Sequence, residues 1–365
     1  MLSKTNSIKF IIKETLKLLN YLRVIFVCAL PKPKKRIQVY YGGSRSGNIG
    51  GPLVKIKKLK SFFPEYKNRF NIVYSISHNC LLNKKTIEVL ERNNCPIILN
   101  QNGVYYPAWF KGNYEEKNLL NKALYYHSSY VFWQSKFCKS ASEKFLGTRK
   151  NKAGEILYNA VDTNFFKPQK RKKDIFNFLI TGNISRNNNY RVSSVLYAFR
   201  EVLKYRSDVY LIVAGNIVDK RYFILEANKL GIIKNISFIG KFTQRDAPKI
   251  YQMADAYITM SYQDNCPSAV IEAMSCGLPI LYSASGGIPE LVDQNSGIGL
   301  KVASNWQNIQ IPNLKDISEG MIRIIDNKNS MSESARERAV EKFDIVYWIN
   351  RHEYIFDLFM KKITK

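Results

Sequence analysis

The feature that most constrains this fold is a repeated alternation of short apolar, β-rich runs with helix-like segments. The ten runs lie at 36–43, 71–77, 96–101, 130–135, 155–160, 176–182, 209–215, 236–241, 256–261 and 278–283. Runs this rich in Ile, Val, Leu and Tyr are typical of strands that are buried on both faces. Strands that alternate with helices favour parallel sheets with right-handed crossovers. The pattern therefore predicts an α/β fold.

The runs form two sets, which are separated by the polar stretch KPQKRKKD at residues 167–174. This stretch has the composition of a surface linker. A chain of 365 residues is long enough for two domains. We predict two Rossmann-like, doubly wound domains, the first at 37–166 and the second at 176–343, joined by a linker at 167–175. Residues 344–365 are predicted to form a C-terminal helix.

Charge is distributed unevenly between the two halves. The chain carries 56 Lys and Arg and 29 Asp and Glu, which gives a net charge of +27. Residues 1–174 hold 33 basic and 10 acidic residues, whereas the remainder holds 23 and 19, so the halves carry +23 and +4. Such an excess indicates a polyanionic partner, which could be nucleic acid, an anionic membrane surface or a phosphorylated substrate. The six cysteines follow no zinc-site spacing, and we expect them to be reduced, as in a cytosolic protein.

The first 36 residues read as a basic amphipathic segment. The positions Ile8, Ile11, Ile12, Leu16, Leu19 and Leu22 recur near helical spacing. The lysines lie largely elsewhere on the helical wheel, and their charges make the segment unlike a membrane-spanning helix. We predict a helix that lies on an anionic membrane surface, with the protein peripheral on the cytosolic face. A helix packed on its own domain and a disordered lead-in are the alternatives.

The most informative stretch is residues 261–292, SYQDNCPSAVIEAMSCGLPILYSASGGIPELV. A helix is predicted to begin at Pro267 or Ser268, with Asp264 in the preceding loop and Glu272 about one turn inside. The free N–H groups of a helix start form a site for phosphate, and an adjacent carboxylate can accept hydrogen bonds from a sugar or ribose diol.

A glycine loop follows the next strand. Gly286 and Gly287 allow the backbone to approach a ligand closely, and Glu290 could cap or orient the loop.

This stretch resembles the donor-binding signature of the retaining glycosyltransferases of family four, which have the GT-B fold. The shared pattern is an acid followed, after seven residues, by the glutamate that opens EAMxCGxP. A GGxPE loop comes next. The resemblance implies two Rossmann-like domains that face each other across a cleft, an acceptor-side first domain and a donor-binding second domain. It also implies that the C-terminal helix crosses back to the first domain. In this family Glu272 would hold the nucleotide ribose and Asp264 would face the transferred sugar.

Other segments are similar to the same family. NAVDTNFFKP at 159–168 resembles its hinge, and the segment 179–199 resembles the strand, loop and helix whose Arg and Lys clamp the donor diphosphate. Neither family cation is in register after Gly182. Arg186 and Arg191 are the cations available in this loop, and the choice between them stays open.

In the first half, YYGGSRSGNIGGPLVKIKKL at 40–59 resembles the family's glycine-rich first loop. Gly50 and Gly51 precede Pro52, which suits the start of a helix. Some relatives place a catalytic histidine in a first-domain loop; Asn102 stands in that region here, and His78 is the other candidate. The residues that could shape the acceptor side are Asn102, Tyr105 and Trp109.

The resemblance implies transfer of a hexose from a nucleotide sugar, with retention, to a saccharide or lipid-linked acceptor in cell-surface polysaccharide or glycolipid synthesis. The sequence has no Asp-x-Asp motif and its three histidines are scattered, so we expect neither a metal nor another cofactor. No nucleic-acid-binding module is recognisable, and we expect no nucleic-acid partner. The alternative function is a non-enzymatic, GT-B-like protein that binds nucleic acid or membrane.

Overall fold

The chain folds as two units, each built around its own parallel β-sheet. The computed structural model describes residues 2–34, 36–48, 50–79, 81–169 and 175–364. Unit 1 comprises Met1–Leu157 together with Ile349–Lys365, and unit 2 comprises Tyr158–Trp348. Residues 158–166, which we assigned from the sequence to the first domain, thus belong to the second unit. Most of the predicted linker, residues 170–174, lies outside the described residues.

The sheet of unit 1 has five strands in the order β1-β2-β3-β4-β5, all parallel. These strands are β1 (Val39–Tyr40), β2 (Ile72–Ile76), β3 (Ile97–Gln101), β4 (Tyr130–Trp133) and β5 (Gly154–Ile156). The helices of this part of the chain are α1 (Leu2–Ala29), α2 (Gly51–Phe62), α3 (Lys84–Arg92), α4 (Tyr114–His127) and α5 (Lys136–Leu146). Side chains such as Val73, Ile98 and Val131 are buried, as expected of strands covered on both faces.

The sheet of unit 2 has six parallel strands in the order β11-β10-β9-β6-β7-β8. The strands are β6 (Phe176–Ile184), β7 (Val209–Ile217), β8 (Ile236–Ile239), β9 (Ala256–Thr259), β10 (Ile280–Ala284) and β11 (Gly297–Lys301). The helices are α6 (Tyr190–Leu203), α7 (Lys220–Lys229), α8 (Ala247–Tyr251), α9 (Ser268–Ser275), α10 (Ile288–Leu291), α11 (Leu314–Asp326) and α12 (Lys328–Phe343). The strand order reverses between β6 and β9, which defines a doubly wound sheet with a topological switch point.

The last helix, α13 (Ile345–Thr364), begins in unit 2, and its residues from Ile349 onward belong to unit 1. Within unit 1, the ring nitrogen Nε2 of His352 lies 3.0 Å from the hydroxyl of Tyr74 on β2. The Phe356 ring packs edge-on against Phe63, and Arg351 donates to Glu155 at 2.6 Å. His352 is fully buried, so it has a structural role in the core of this unit.

One side of α1 packs on unit 1 and the other side is exposed. The Asn20 amide donates to the Leu81 carbonyl at 2.8 Å and accepts from the Tyr40 hydroxyl. Val24 and Val27, on the same side of the helix, are buried. The opposite stripe is exposed and consists of Ile11, Leu18, Leu22 and Ile25. Within the described residues, no helix combines the length and the apolarity needed to cross a bilayer.

Every one of the ten predicted runs overlaps a strand, so the α/β prediction is confirmed. The eleventh strand, β11, was not predicted. Its sequence, Gly-Ile-Gly-Leu-Lys, contains two glycines, which are depleted in strands. Pairing with β10 along five residues stabilises it as a strand nevertheless. The described cysteines are free thiols, whereas Cys80 lies outside the described residues.

Candidate functional site

The candidate site of unit 2 lies at the switch point of its sheet. Strands β6 and β9 are neighbours, although two strands separate them along the chain. The helices after β6 and β9 therefore lie on opposite faces of the sheet, and a crevice opens beyond the carboxyl ends of these two strands. Gly182 lies near the end of β6, Arg191 lies in the first turn of α6, and Asp264 follows β9. The topology thus brings together loops that are more than seventy residues apart in the sequence.

Helix α9 carries Glu272. It begins at Ser268 after Pro267, as the sequence predicted, and Glu272 lies four residues into it. The carboxylate is 9% exposed; it accepts hydrogen bonds from the Tyr251 hydroxyl at 2.9 Å and the Gln244 amide at 2.8 Å. These two bonds reach different carboxylate oxygens and so fix the plane of the group.

Tyr251 is itself fully buried, and burial raises the pKa of its hydroxyl well above the ordinary value, with the charge of Glu272 adding to the effect. The hydroxyl therefore stays protonated and remains a donor to Glu272. Neither Tyr251 nor Gln244 was identified from the sequence as a site residue.

The loop that carries Asp264 rests on the glycine loop after β10. The Gly287 N–H donates to the Asp264 carbonyl at 2.7 Å, and the Gln263 N–H donates to the Ser285 hydroxyl at 2.9 Å. Gly286 has a φ of +67°, and a Cβ there would lie 2.5 Å from the Asp264 carbonyl oxygen. This contact gives Gly286 a structural reason to be glycine. Its approach to a ligand stays a prediction.

Two opposing effects act on the pKa of the Asp264 carboxyl. Burial raises the pKa of this carboxyl, and the positive charge of Arg191 acts in the opposite direction. One carboxylate oxygen also accepts from the Cys266 N–H at 3.3 Å. Asn159, from the segment that resembles the hinge, donates to the Cys266 carbonyl at 2.6 Å and holds this loop in place.

The two candidate cations of the β6 loop have different surroundings. Arg186 is 86% exposed and pairs with Asp219 at 3.2 Å, on the surface of the unit. Arg191 is partly buried, and its Nε has no hydrogen-bond partner among the described residues. Its charge acts on both Asp264 and Tyr257. The structure thus brings Arg191, and not Arg186, towards Asp264.

The other predicted donor-side residues lie around the same loops. Gly182 pairs with Gly215 across β6 and β7, and no atom lies within 4 Å of the position that a Cβ on Gly182 would occupy. Open space beside this backbone leaves room for a ligand. Glu290, on α10, accepts from the Tyr158 hydroxyl at 3.2 Å, so it fixes the segment that enters unit 2.

In unit 1, helix α2 begins at Gly51, with Gly50 as its N-cap at a φ of +91° and Pro52 in the first turn. This agrees with the predicted helix start. His78 follows β2 in a left-handed conformation (φ +67°), and its Nδ1 lies 3.1 Å from the Ser77 hydroxyl. Loss of hydration around the ring, which disfavours its charged form, lowers the pKa of His78 to about 4.

The predicted acceptor-side residues follow β3. Asn102 donates its backbone N–H to Ser77 at 3.0 Å, which links the loops after β2 and β3. Tyr105 packs edge-on against His78, and Trp109 is 59% exposed. The structure therefore brings His78, Asn102 and Tyr105 together at the carboxyl edge of this sheet.

Sequence reasoning missed Lys55 in the same region. Lys55 is 8% exposed, and its ammonium donates to the amide oxygens of Asn100 at 2.9 Å and Asn102 at 3.1 Å. A signal was available, because Lys55 lies four residues before the buried Leu59 and hence on the apolar stripe of α2.

No group of three His, Cys, Asp or Glu side chains that could hold a metal ion occurs within the described ranges.

Comparison with known proteins identifies the class. Residues 161–342 match the family model of the glycosyl transferases group 1. The chain belongs to this family.

Two curated relatives are enzymes of this kind. N-acetyl-alpha-D-glucosaminyl L-malate synthase of Bacillus anthracis is 24% identical over 169 residues, which is 46% of this chain and 42% of the relative. UDP-Gal:alpha-D-GlcNAc-diphosphoundecaprenol alpha-1,3-galactosyltransferase of Escherichia coli is 24% identical over 224 residues, 57% of this chain and 54% of the relative. The chain thus spans about half the length of these relatives.

Solved structures show the same fold at low identity. Sucrose-phosphate synthase of Thermosynechococcus elongatus has a TM-score of 0.66 at 13% identity, with 84% of this chain and 77% of that chain covered. Alr3699/HepE of Anabaena, solved in complex with UDP, has a TM-score of 0.63 at 16% identity, with coverage of 84% and 82%. The predicted GT-B fold, with two Rossmann-like domains, is confirmed.

Proposed function

We propose that this protein is a glycosyltransferase that takes its sugar from a nucleotide-sugar donor bound by unit 2. The observation that carries the proposal is the Glu272 carboxylate, oriented by Tyr251 and Gln244 at the switch point of the sheet. A carboxylate fixed in this way can accept both hydroxyls of a ribose, since each oxygen has two lone-pair sites. Anabaena Alr3699/HepE, which shares the fold, has been solved with UDP and with UDP-glucose.

Arg191 would hold the donor diphosphate in this proposal. Its guanidinium is partly buried beside the switch point, where its charge is less screened than that of the exposed Arg186. Backbone N–H groups at the start of α9, near Ser268, would donate further hydrogen bonds to the diphosphate. The open space beside Gly182 leaves room for the diphosphate.

The transfer would proceed with retention of configuration and without metal. The bond between the sugar C1 and the diphosphate breaks, a bond from C1 to the acceptor oxygen forms on the same face, and the departing phosphate takes the acceptor proton. Charge on that phosphate would be stabilised by Arg191 and the helix start. Asp264 would contact the transferred hexose.

The acceptor would be a saccharide or a lipid-linked saccharide bound by unit 1, in polysaccharide or glycolipid synthesis. One relative, the Escherichia coli galactosyltransferase, acts on a diphosphoundecaprenol-linked sugar. We further propose that α1 rests on an anionic membrane surface through its exposed apolar stripe, with its lysines attracted to lipid headgroups.

The experiment is a calorimetric titration of UDP and UDP-sugars into the wild type and Glu272→Gln. We expect binding to weaken about tenfold or more, because a hydrogen bond to a charged group is lost. The matched control is Glu319→Gln, the same change at an exposed position on α11 of unit 2. Equal affinity of the wild type and Glu272→Gln would contradict the proposal.

A further inference from the structure

A cavity of about 880 Å³ opens in unit 1 at the amino edge of its sheet, and its volume lies in the range of ligand pockets. We call it the amino-edge cavity. It is bounded by the starts of β3, β4 and β5, the ends of α3 and α4, the segment after α1 and the last turns of α13. The predicted acceptor-side residues follow β3 at the opposite edge of this sheet. The cavity is therefore separate from them.

Apolar groups form part of the cavity lining. Pro96 precedes β3, and Leu358 and Phe359 belong to α13. The Phe359 ring packs edge-on against the Tyr130 ring, with 6.4 Å between the centroids, and Leu358 is exposed. A hydrocarbon chain that covered these groups would remove apolar surface from water, which is favourable.

Lysines line the same cavity from two distant parts of the chain. Lys32 and Lys34 follow α1, and Lys362 lies near the end of α13. The Lys32 ammonium donates to the carbonyl of Asn93 and so compensates the end of α3. Lys34 and Lys362 are exposed, and the Lys362 ammonium lies 5.3 Å from the centroid of the Phe359 ring. Lys34 and Lys362 therefore supply positive charge at the rim, next to the apolar lining.

The charge of the lining favours an anion. Among the described residues that line the cavity, three lysines outnumber one glutamate, Glu91. The Glu91 carboxylate lies 3.0 Å from Nδ1 of His127, which is also part of the lining. The cavity thus combines a positive rim with an apolar wall, which is the complement of an amphiphile with an anionic head.

The exposed apolar surface of α1 leads to this cavity. Phe26 and Leu30 are exposed, and Lys32 comes two residues after Leu30. On α13, Tyr354 is exposed one turn before Leu358, which lines the cavity. A bilayer in contact with the end of α1 would therefore place lipid headgroups beside the lysines of the rim.

We propose that the amino-edge cavity binds one anionic phospholipid, with its phosphate against Lys34 and Lys362 and the first part of its chains against Leu358 and Phe359. This deepens the membrane contact proposed above for α1 and rests on it. A zwitterionic headgroup carries a cationic group that the lysines would repel. A soluble phosphate would leave the apolar wall in contact with water.

The test is a calorimetric titration of dihexanoyl phosphatidylglycerol, as monomers in solution, into the full chain. Dihexanoyl phosphatidylcholine has the same chains without net charge and should bind about tenfold or more weakly. The deciding variant combines Lys34→Met and Lys362→Met, two exposed positions at which substitution leaves folding intact. We expect its affinity for dihexanoyl phosphatidylglycerol to fall about tenfold or more, because two attractions to the phosphate are lost.

The matched control combines Lys84→Met and Lys117→Met. It removes the same charge from exposed positions in the first turns of α3 and α4, whose opposite ends border the cavity. Its affinity for dihexanoyl phosphatidylglycerol should stay within about twofold of the wild type. No binding by the wild type, or unchanged affinity in the Lys34 and Lys362 variant, would overturn the inference.

Glycerol 3-phosphate, titrated in the same way, separates a lipid from a soluble phosphate. We expect it to bind about tenfold or more weakly than dihexanoyl phosphatidylglycerol, since no chain covers the apolar wall. Equal affinity of the two probes would overturn the assignment of a lipid.

A variant of α1 separates the cavity from the helix. Serine at Leu18, Leu22 and Ile25 should weaken binding to anionic vesicles and leave the binding of dihexanoyl phosphatidylglycerol monomers unchanged, because none of these residues lines the cavity. UDP titrated alone tests the donor site of unit 2. Failure of the proposed function, of the α1 contact and of the amino-edge cavity thus give different results.

Discussion

Gly286 allows the glycine loop and the Asp264 loop to lie close together because it has no Cβ atom. Its φ of +67° disfavours any side chain, and a Cβ there would lie 2.5 Å from the Asp264 carbonyl oxygen. We expect Gly286→Ala to destabilise the protein by more than the ~1–2 kcal/mol that a left-handed alanine costs, since the Asp264 loop must also move. Nucleotide-sugar affinity should fall with it.

Gly231→Ala is the control for this prediction. Gly231 has a φ of +72°, but nothing lies within 4 Å of its Cβ position. Gly231→Ala therefore introduces the same backbone strain without a clash. Its affinity for the nucleotide sugar should equal that of the wild type. Urea unfolding and UDP calorimetry measure both effects; equal destabilisation of the two variants would refute the role of the contact.

The lowered pKa of His78 predicts a pH-dependent stability of the protein. Its pKa is about 4 in the folded chain and about 6.5 when unfolded, so the unfolded state binds the extra proton between these values. The free energy of unfolding is therefore highest, as far as His78 is concerned, above pH 6.5. It decreases as the pH falls from 6.5 towards 4.

We expect His78→Asn, a residue that tolerates the left-handed backbone, to flatten the stability curve in this window. The measurement is the free energy of unfolding by urea at several pH values. Parallel curves for wild type and variant between pH 6.5 and 4 would show that the His78 ring is hydrated equally in the folded and the unfolded chain.

At the scale of elements, α9 and the strands were predictable from the sequence. The side chains that contact Glu272 on α9 were not. Apolar runs and a proline-serine start are local signals, so the sequence places Glu272 one turn inside a helix. Tyr251 reaches Glu272 from α8, twenty-one positions earlier, and only tertiary packing determines such a contact. Lys55 was overlooked because a lysine usually marks a solvated face, although it lies on the apolar stripe of α2.

Helix α1 supports a prediction at the same scale. Its exposed stripe faces away from the side that packs on unit 1, so apolar side chains are available to lipid. We expect the triple variant Leu18→Ser, Leu22→Ser and Ile25→Ser to bind phosphatidylglycerol vesicles more than tenfold more weakly, because buried apolar area drives insertion. Vesicle co-sedimentation measures this, with phosphatidylcholine vesicles as the neutral comparison.

The control changes exposed leucines elsewhere, Leu119→Ser and Leu225→Ser, and should bind as the wild type does. Unchanged binding of the triple variant would exclude this stripe of α1 as the anchor. Concentration-dependent dimerisation that the triple variant abolishes would instead identify a second copy of the chain as the occupant.

At the scale of the whole molecule, the net charge of +27 should oppose folding through self-repulsion. Raising NaCl from 0.1 to 1 M shortens the screening length from about 10 Å to about 3 Å. We therefore expect the Tm to rise with salt, and vesicle binding to weaken over the same range. Calorimetric melting measures the first effect; a Tm that falls with salt would mean that attractive ion pairs outweigh the repulsion.

The sequence by itself determined the α/β class, ten of the eleven described strands and the helix that carries Glu272. These follow from local patterns of apolar residues, turns and helix starts. The tertiary structure decided which side chains meet: Arg191 rather than Arg186 near Asp264, Gln244 and Tyr251 on Glu272, and Lys55 between Asn100 and Asn102. The physical reason is that these contacts join strands and helices distant in the chain, and strand order, which no local pattern encodes, determines which loops become neighbours.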